Sequence, residues 1–305
     1  MSTAVSIFIT LAGVSIIVVV LRDVLHELFH PSGTGTIART LMHAFWRVFR
    51  ALGRRHRSVL GLAGPVILVG VLAAWTLLLA VGWALVYWPG LPDEFRFSSP
   101  LAPATQAGFG TALYVSLLSL STLGFGDVTP TSPALRLGAT LEGFVGFALL
   151  TAGISWILML YPVLRRRHAL AQRIVLHGAA ARRTGIGIME RDPAEVSRVL
   201  DELAASLITA RVDLMLSSIS YYFRDPERGV SLPASLPELM RIADVPDDAN
   251  PTVRYSAVVL RVAIDAFADL VGAKYLGLRK APTMAILSAY ADDHQSGEGR
   301  TAPTR

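Results

Sequence analysis

The chain of 305 residues has no cysteine, which excludes a disulfide-stapled scaffold and leaves its redox compartment open. Charge is also scarce. Only 17% of residues are charged against 52% apolar, and the mean hydropathy is +0.50, too little polar surface for a soluble globule. Charge is missing altogether from residues 1–21, 58–92, 97–126 and 143–164. A bilayer core about 30 Å thick is crossed by roughly 20 apolar helical residues, so each run is long enough to span. The same arithmetic excludes a collagen and a disordered chain, and it points to a membrane protein.

What charge there is lies unevenly. The formal charge of +5 comes largely from Arg22, Arg39, Arg47, Arg50, Arg54, Arg55 and Arg57, while basic and acidic residues nearly balance beyond Arg166. That pattern fits a cytoplasmic loop better than a nucleic-acid surface, and no nucleic-acid partner is expected. Arginine is retained on the inner side, so this loop and the Arg165–Arg167 cluster both face the cytoplasm, with the N-terminus outside. A first span runs from about Val5 to Leu21 or on to Phe29, a second from about Leu60 to Trp88, and a third from about Leu135 to Leu164. Residues 89–134 hold Pro89, Pro92, Pro100, Pro103 and Pro130, which interrupt helices, so the uncharged run between the second and third spans re-enters rather than crosses. The first run lacks a basic n-region and a small-residue cleavage site, which argues against a cleaved signal peptide. Residues 37–52 place Ile37, Leu41, Phe45, Val48 and Leu52 on one helical face. That suits either a helix in the cytoplasmic interface anchored by Trp46 or a soluble connecting helix.

The informative segment is Thr122-Leu123-Gly124-Phe125-Gly126-Asp127, which ends an apolar stretch beginning at Gly108. Non-helical backbone at membrane depth is tolerated only where its carbonyls are buried in protein or face a hydrated path, and a dehydrated cation is a natural occupant. Neighbouring carbonyls pointing one way require backbone angles that L-residues avoid, and Gly124 and Gly126 reach them without a Cβ clash. This segment resembles the selectivity filter of the potassium channel pore family, whose threonine-valine-glycine-tyrosine-glycine loops replace the hydration shell of the ion. The resemblance covers about Leu60 to Leu164, with Ala112–Ser116 similar to the pore helix. It implies ion sites at Thr122, Leu123, Gly124, Phe125 and Gly126, with Asp127 as filter support and K+ as permeant ion, without an organic cofactor. One filter motif per chain implies a homotetramer in the lipid bilayer.

The departures are specific. Phe125 replaces a tyrosine, so its ring packs behind the filter without a hydrogen bond to the pore helix. Leu123 replaces valine. Leu118 stands where some bacterial relatives carry a glutamate, which removes a carboxylate pair with Asp127 behind the filter. Gly146 aligns with the family's inner-helix hinge, or serves close packing; Gly153 and Pro162 are further hinge candidates, and Pro162 either kinks or ends the span. Glu142 counts to the outer end of the third span, where solvation is expected. No apolar span carries arginine at every third position, so a voltage-sensing helix is absent.

A competing motif is His26-Glu27-Leu28-Phe29-His30, which fits the zinc-hydrolase pattern of two histidines one turn apart with a glutamate between them. A catalytic zinc needs a third ligand, and His43, His56, Asp23 and His168 lie in no motif that supplies one. The alternative reading is therefore a membrane-embedded zinc metallopeptidase using His26, Glu27 and His30, and the preferred reading is a channel without enzymatic activity.

Beyond Arg167 the pattern is helical, with Val196, Val199, Leu200, Leu203 and Leu207 on one stripe and Tyr255, Val258, Val259 and Val262 on another. Residues 224–252 read as a linker rich in proline and aspartate, and no strand alternation is found. Gly185-Ile186-Gly187 is too short a glycine signal for a dinucleotide fold. The expected fold is an all-α membrane protein with three transmembrane helices, a re-entrant pore helix and filter loop, and a helical cytoplasmic domain. Its segments are an extra N-terminal helix at 1–30, an Arg-rich linker at 31–58, a pore domain at 59–165, a helical cytoplasmic domain at 166–293 and a disordered tail at 294–305.

Overall fold

The computed structural model describes residues 2–29, 35–53, 61–98, 107–225 and 231–295. Among them the helices are α1 (Thr3–Phe29), α2 (Thr36–Gly53), α3 (Ala63–Tyr87), α4 (Phe109–Leu120), α5 (Pro133–Thr184), α6 (Pro193–Leu216), α7 (Leu232–Ile242), α8 (Pro251–Val271) and α9 (Thr283–Gln295). Three-residue strands β1 (Phe95–Phe97) and β2 (Val128–Pro130) pair antiparallel, Phe95 opposite Pro130. Helices α1, α3 and α5 are long and apolar enough to cross a membrane, while α4 is a shorter apolar helix. The three expected spans and the re-entrant helix are thus all present as helices. The chain divides into two compact units, Met1–Leu41 with Leu68–Leu158, and Met42–Ile67 with Met159–Arg305.

In the first unit, small residues let the helices approach closely. A Cβ on Gly13 of α1 would stand 2.5 Å from the Gly82 carbonyl oxygen of α3, the close backbone approach that glycine permits in membrane helices. Trp75 of α3 stacks on Trp156 of α5 with ring centroids 5.8 Å apart. Asp23, near the end of α1, is buried and fully used. Its carboxylate accepts the amides of Ile37 (2.9 Å) and Ala38 (3.1 Å) in the first turn of α2 and the Trp75 indole N–H (3.0 Å). A carboxylate at a helix N-terminus satisfies amides that lack intrahelical partners and complements the helix dipole. One side chain thereby joins α1, α2 and α3.

In the second unit α6 and α8 pack together. Both begin on the same signal: Asp192 and Asn250 cap the helices, accepting the amides of Ala194 and Thr252 at 2.9 Å, and a proline follows each. The α6 stripe of Val196, Leu200, Leu203 and Leu207 is buried as expected. The α8 expectation is reversed. Tyr255, Val258 and Val262 are exposed, and the buried face is Val253, Ala257, Leu260, Ile264 and Phe267. Both faces are apolar, so the 3.6 period alone does not choose between them.

Four further expectations are corrected here. Helix α5 continues through Pro162 to Thr184, because Leu170, Ala171 and Ile174 supply another buried stripe, so Pro162 does not end the helix. The stretch read as a linker contains α7, whose Pro233 sits in the first turn, where the missing N–H costs nothing. His294 is the penultimate residue of α9 and is buried rather than part of a disordered tail; residues 296–305 lie outside the described residues. Trp46 is not an exposed membrane anchor. It is 5% exposed, and its indole N–H donates to Asp293 at 2.9 Å.

Asp293 also accepts the Tyr221 hydroxyl at 2.7 Å and pairs with Arg50 at 2.5 Å. Burial, reinforced by Asp293, pushes the Tyr221 phenol well above its ordinary value, and burial pushes Tyr290 up to about 12. The folded phenols keep protons that the unfolded chain releases above about pH 10, so stability is complete below that pH and falls as pH rises through it. Thermal unfolding of the purified protein should shift to lower temperature above about pH 10. Tyr221→Phe, which cannot ionise, should flatten that dependence, and a midpoint indifferent to alkaline pH would refute the argument.

Candidate functional site

Helix α4 has 12 residues, about 18 Å at 1.5 Å per residue, which is too short to cross a bilayer. It rests on a buried cluster made by Ala84, Tyr87, Leu91, Phe95, Ala112, Val115 and Val128, so the β1–β2 ribbon and the end of α3 together form its seat. Its last turn continues into the Thr122–Asp127 loop through bonds from the Thr122 amide to the Ser119 carbonyl (3.1 Å) and from the Leu123 amide to the Leu118 carbonyl (3.2 Å). The partially negative C-terminal end of α4 therefore lies at the loop, an arrangement that favours a cation.

The loop backbone alternates. Thr122, Gly124 and Gly126 have φ of 57°, 48° and 76°, with the intervening Leu123 and Phe125 outside the left-handed region. Both glycines were identified from the motif as positions needing this freedom. Thr122 was not, and a β-branched residue at positive φ is a costly outlier that surrounding structure must impose. Nothing in the residue type signals it; only the continuation of the alternation one step before Gly124 does.

Asp127 closes the loop. Its carboxylate accepts the Tyr114 hydroxyl of α4 at 2.8 Å, and its carbonyl accepts the Ser98 amide at 2.8 Å. The Ser98 hydroxyl donates to the Gly126 carbonyl at 3.3 Å. Residues 122–126 are all exposed in the single chain; Leu123 is 62% and Phe125 68% exposed, so the Phe125 ring is not packed behind its own loop. Beneath the loop lies a cavity of about 490 Å³ lined by Thr122, Leu120, Gly146, Leu150, Gly153 and their neighbours, walled by α3, α4 and α5.

Gly146 sits against the end of α4. A Cβ there would stand 2.0 Å from the Leu120 carbonyl oxygen, so the position has no room for a side chain. Gly153 faces Leu72 of α3. Glu142 departs most from expectation. It is 0% exposed, not solvated, and its carboxylate accepts the Tyr87 hydroxyl at 2.6 Å and the Ser116 hydroxyl. A buried carboxylate is thus supplied from α5 to the middle of α4, while Asp127 itself bonds Tyr114.

The zinc motif is placed only in part. Glu27 is buried and accepts the Gly35 amide at 2.9 Å, while His30 lies outside the described residues. Among the described residues, no group of three or more His, Cys, Asp or Glu stands close enough to hold a metal ion.

A family model described as an ion channel matches residues 66–161, which contain α4, the loop and the adjoining parts of α3 and α5. The chain is 27% identical over 151 residues to an uncharacterized membrane protein, YdjJ, of Bacillus subtilis, covering 50% of this chain and 43% of that protein. It is 33% identical over 94 residues to two pore potassium channel c of Oryza sativa subsp. japonica, covering 29% of this chain and 20% of that protein. Each match thus spans less than half of the relative. No solved structure matches the chain significantly.

Proposed function

We propose that this membrane protein, whose residues 66–161 are a pore domain of the potassium-channel type, is one subunit of a channel that passes K+ down its electrochemical gradient. The observation that carries this reading is the alternating left-handed backbone at Thr122, Gly124 and Gly126. Left-handed residues at every second position suit a run of peptide oxygens directed to one side, the arrangement that replaces water around a monovalent cation. In this reading Thr122, Leu123, Gly124, Phe125 and Gly126 form the ion sites and Asp127 supports them through Tyr114.

One loop cannot surround an ion. A closed pore from a chain with one filter motif calls for several copies about an axis, and four is the number that this loop architecture uses. The exposure of Leu123 and Phe125 supports neighbouring copies as their cover. The arginine distribution supports an outer N-terminus and a cytoplasmic helical region after Arg167. Gly146, Gly153 and Pro162 remain the positions on α5 at which the inner helix would bend. The ion-channel domain points away from an enzyme, and passive conduction requires no group beyond K+ itself.

The test is direct. The purified full chain in liposomes should pass K+ much faster than Na+ when each gradient is imposed in turn. Equal permeability to the two ions would overturn the selective reading.

A further inference from the structure

Glu142 is a carboxylate in the middle of an apolar unit, withdrawn completely from water. A carboxyl group in such a place is costly unless both oxygens find donors, and here both do. One oxygen takes the Ser116 hydroxyl from the middle of α4; the other takes the Tyr87 hydroxyl at the end of α3, at 2.6 Å. One α5 side chain thereby fixes the distance from α5 to both neighbours. A hydrogen bond is directional in a way that apolar contact is not, so the Ser116 bond, to a carboxylate that Tyr87 holds by its other oxygen, sets the position of α4 along and around its axis.

A second observation lies one turn further along α5. Gly146 abuts the Leu120 carbonyl with no space for a Cβ, and a Cβ on Gly143 would stand 3.5 Å from the Ser119 carbonyl oxygen. The α5 stripe at positions 142, 143 and 146 thus grips α4 from Ser116 to Leu120. The Thr122 and Leu123 amides hang from Ser119 and Leu118, so any shift of α4 is delivered to the first residues of the loop.

From this geometry we infer that Glu142 is a positioning residue for ion discrimination: through Ser116 it holds α4, and hence Thr122–Gly126, at the spacing that separates K+ from Na+. The inference rests on the channel reading above and deepens it. Functional constellations have to be held within about 0.5 Å of their working geometry, a tolerance that one lost directional contact exceeds.

The experiment compares the full-length wild type, Glu142→Ala, Glu142→Gln and Ser116→Ala in liposomes, using only protein that elutes at the size of the wild-type assembly. The measured quantity is the ratio of K+ to Na+ flux, which a loss of stability alone does not change in the assembled fraction. Glu142→Ala and Ser116→Ala should each lower the ratio by about tenfold or more. Glu142→Gln keeps an acceptor oxygen and should retain most of the ratio. The double variant Glu142→Ala with Ser116→Ala should be no worse than the poorer single one, because both remove the same bond. Where Glu142→Ala fails to assemble, Ser116→Ala, a loss of one oxygen, decides alone. A selective wild type with an unchanged ratio in the assembled variants overturns this inference and leaves the channel reading intact. A wild type without preference for K+ overturns both.

Discussion

Replacing Gly124 with alanine should abolish K+ flux while leaving the helical content, membrane insertion and assembly of the protein unchanged. The expected loss comes from the backbone and not from crowding within the chain. A Cβ at Gly124 meets nothing within 4 Å, but the residue sits at φ +48°. An L-residue there costs roughly 1–2 kcal/mol, and in the proposed multi-copy pore the cost recurs in every copy. The loop escapes that cost by moving to negative φ, which turns its carbonyls away from the direction the alternation gives them. Gly185 provides the control, because its φ of +70° also lies in open space but outside the pore segment. Gly185→Ala bears the same backbone cost and should conduct normally. Flux through liposomes at matched protein density distinguishes the two variants. Full conduction by Gly124→Ala, or equal loss in both, would show that the alternation at Thr122, Gly124 and Gly126 has nothing to do with permeation.

The parts of this protein legible in its sequence are those fixed by local chemistry. Uncharged runs marked α1, α3 and α5 because the bilayer demands length and apolarity from consecutive residues. The loop was legible because glycine at alternate positions is a backbone requirement written into residue type. Legibility ended where distant partners decide. Counting along α5 placed Glu142 near a solvated helix end, yet its partners are Ser116, 26 residues away, and Tyr87, 55 residues away. In α8 two apolar faces compete, and only the presence of α6 on one of them makes Leu260 and Phe267 core and leaves Tyr255 exposed. In α2 the read face ran through Val48 and Leu52, which are exposed, whereas the buried stripe is Ala38, Met42 and Trp46. Residues 224–252 read as a linker because a proline at the first turn of a helix, as Pro233 is, and one in a linker look alike without the helix that follows.

The three arginines of the Arg165–Arg167 run differ in their surroundings, and that difference supports a large predicted contrast between two adjacent residues. Arg165 is exposed. Arg166 forms a bidentate pair with Asp213 at 2.7 and 2.8 Å; the Asp213 side chain is 12% exposed, but that of Arg166 is 45% exposed, so water reaches the pair. Arg167 is buried: its guanidinium donates to the Ser220 carbonyl at 2.8 Å, to the Phe223 carbonyl at 2.6 Å and to Asp225 at 3.1 Å, and Asp225 also meets His168. Exposed ion pairs contribute about 0–1 kcal/mol, because water and salt already screen the charges. Removing one partner of a buried pair costs about 3–5 kcal/mol, because the remaining charge is stranded out of water. Asp225→Ala leaves the Arg167 cation in that position. For a unit of this size such a loss lowers the unfolding midpoint by on the order of 10 °C. Arg166→Ala, one residue from the buried arginine, should lower it by only about 2–4 °C. Replacing Arg167 and Asp225 together with apolar residues of similar volume should recover most of the Asp225→Ala loss, since the cost lies in the unpaired charge more than in the absent bond. Thermal unfolding of the three variants in one detergent at neutral pH decides the matter. A midpoint for Asp225→Ala no lower than that for Arg166→Ala would mean that burial does not set the strength of this contact.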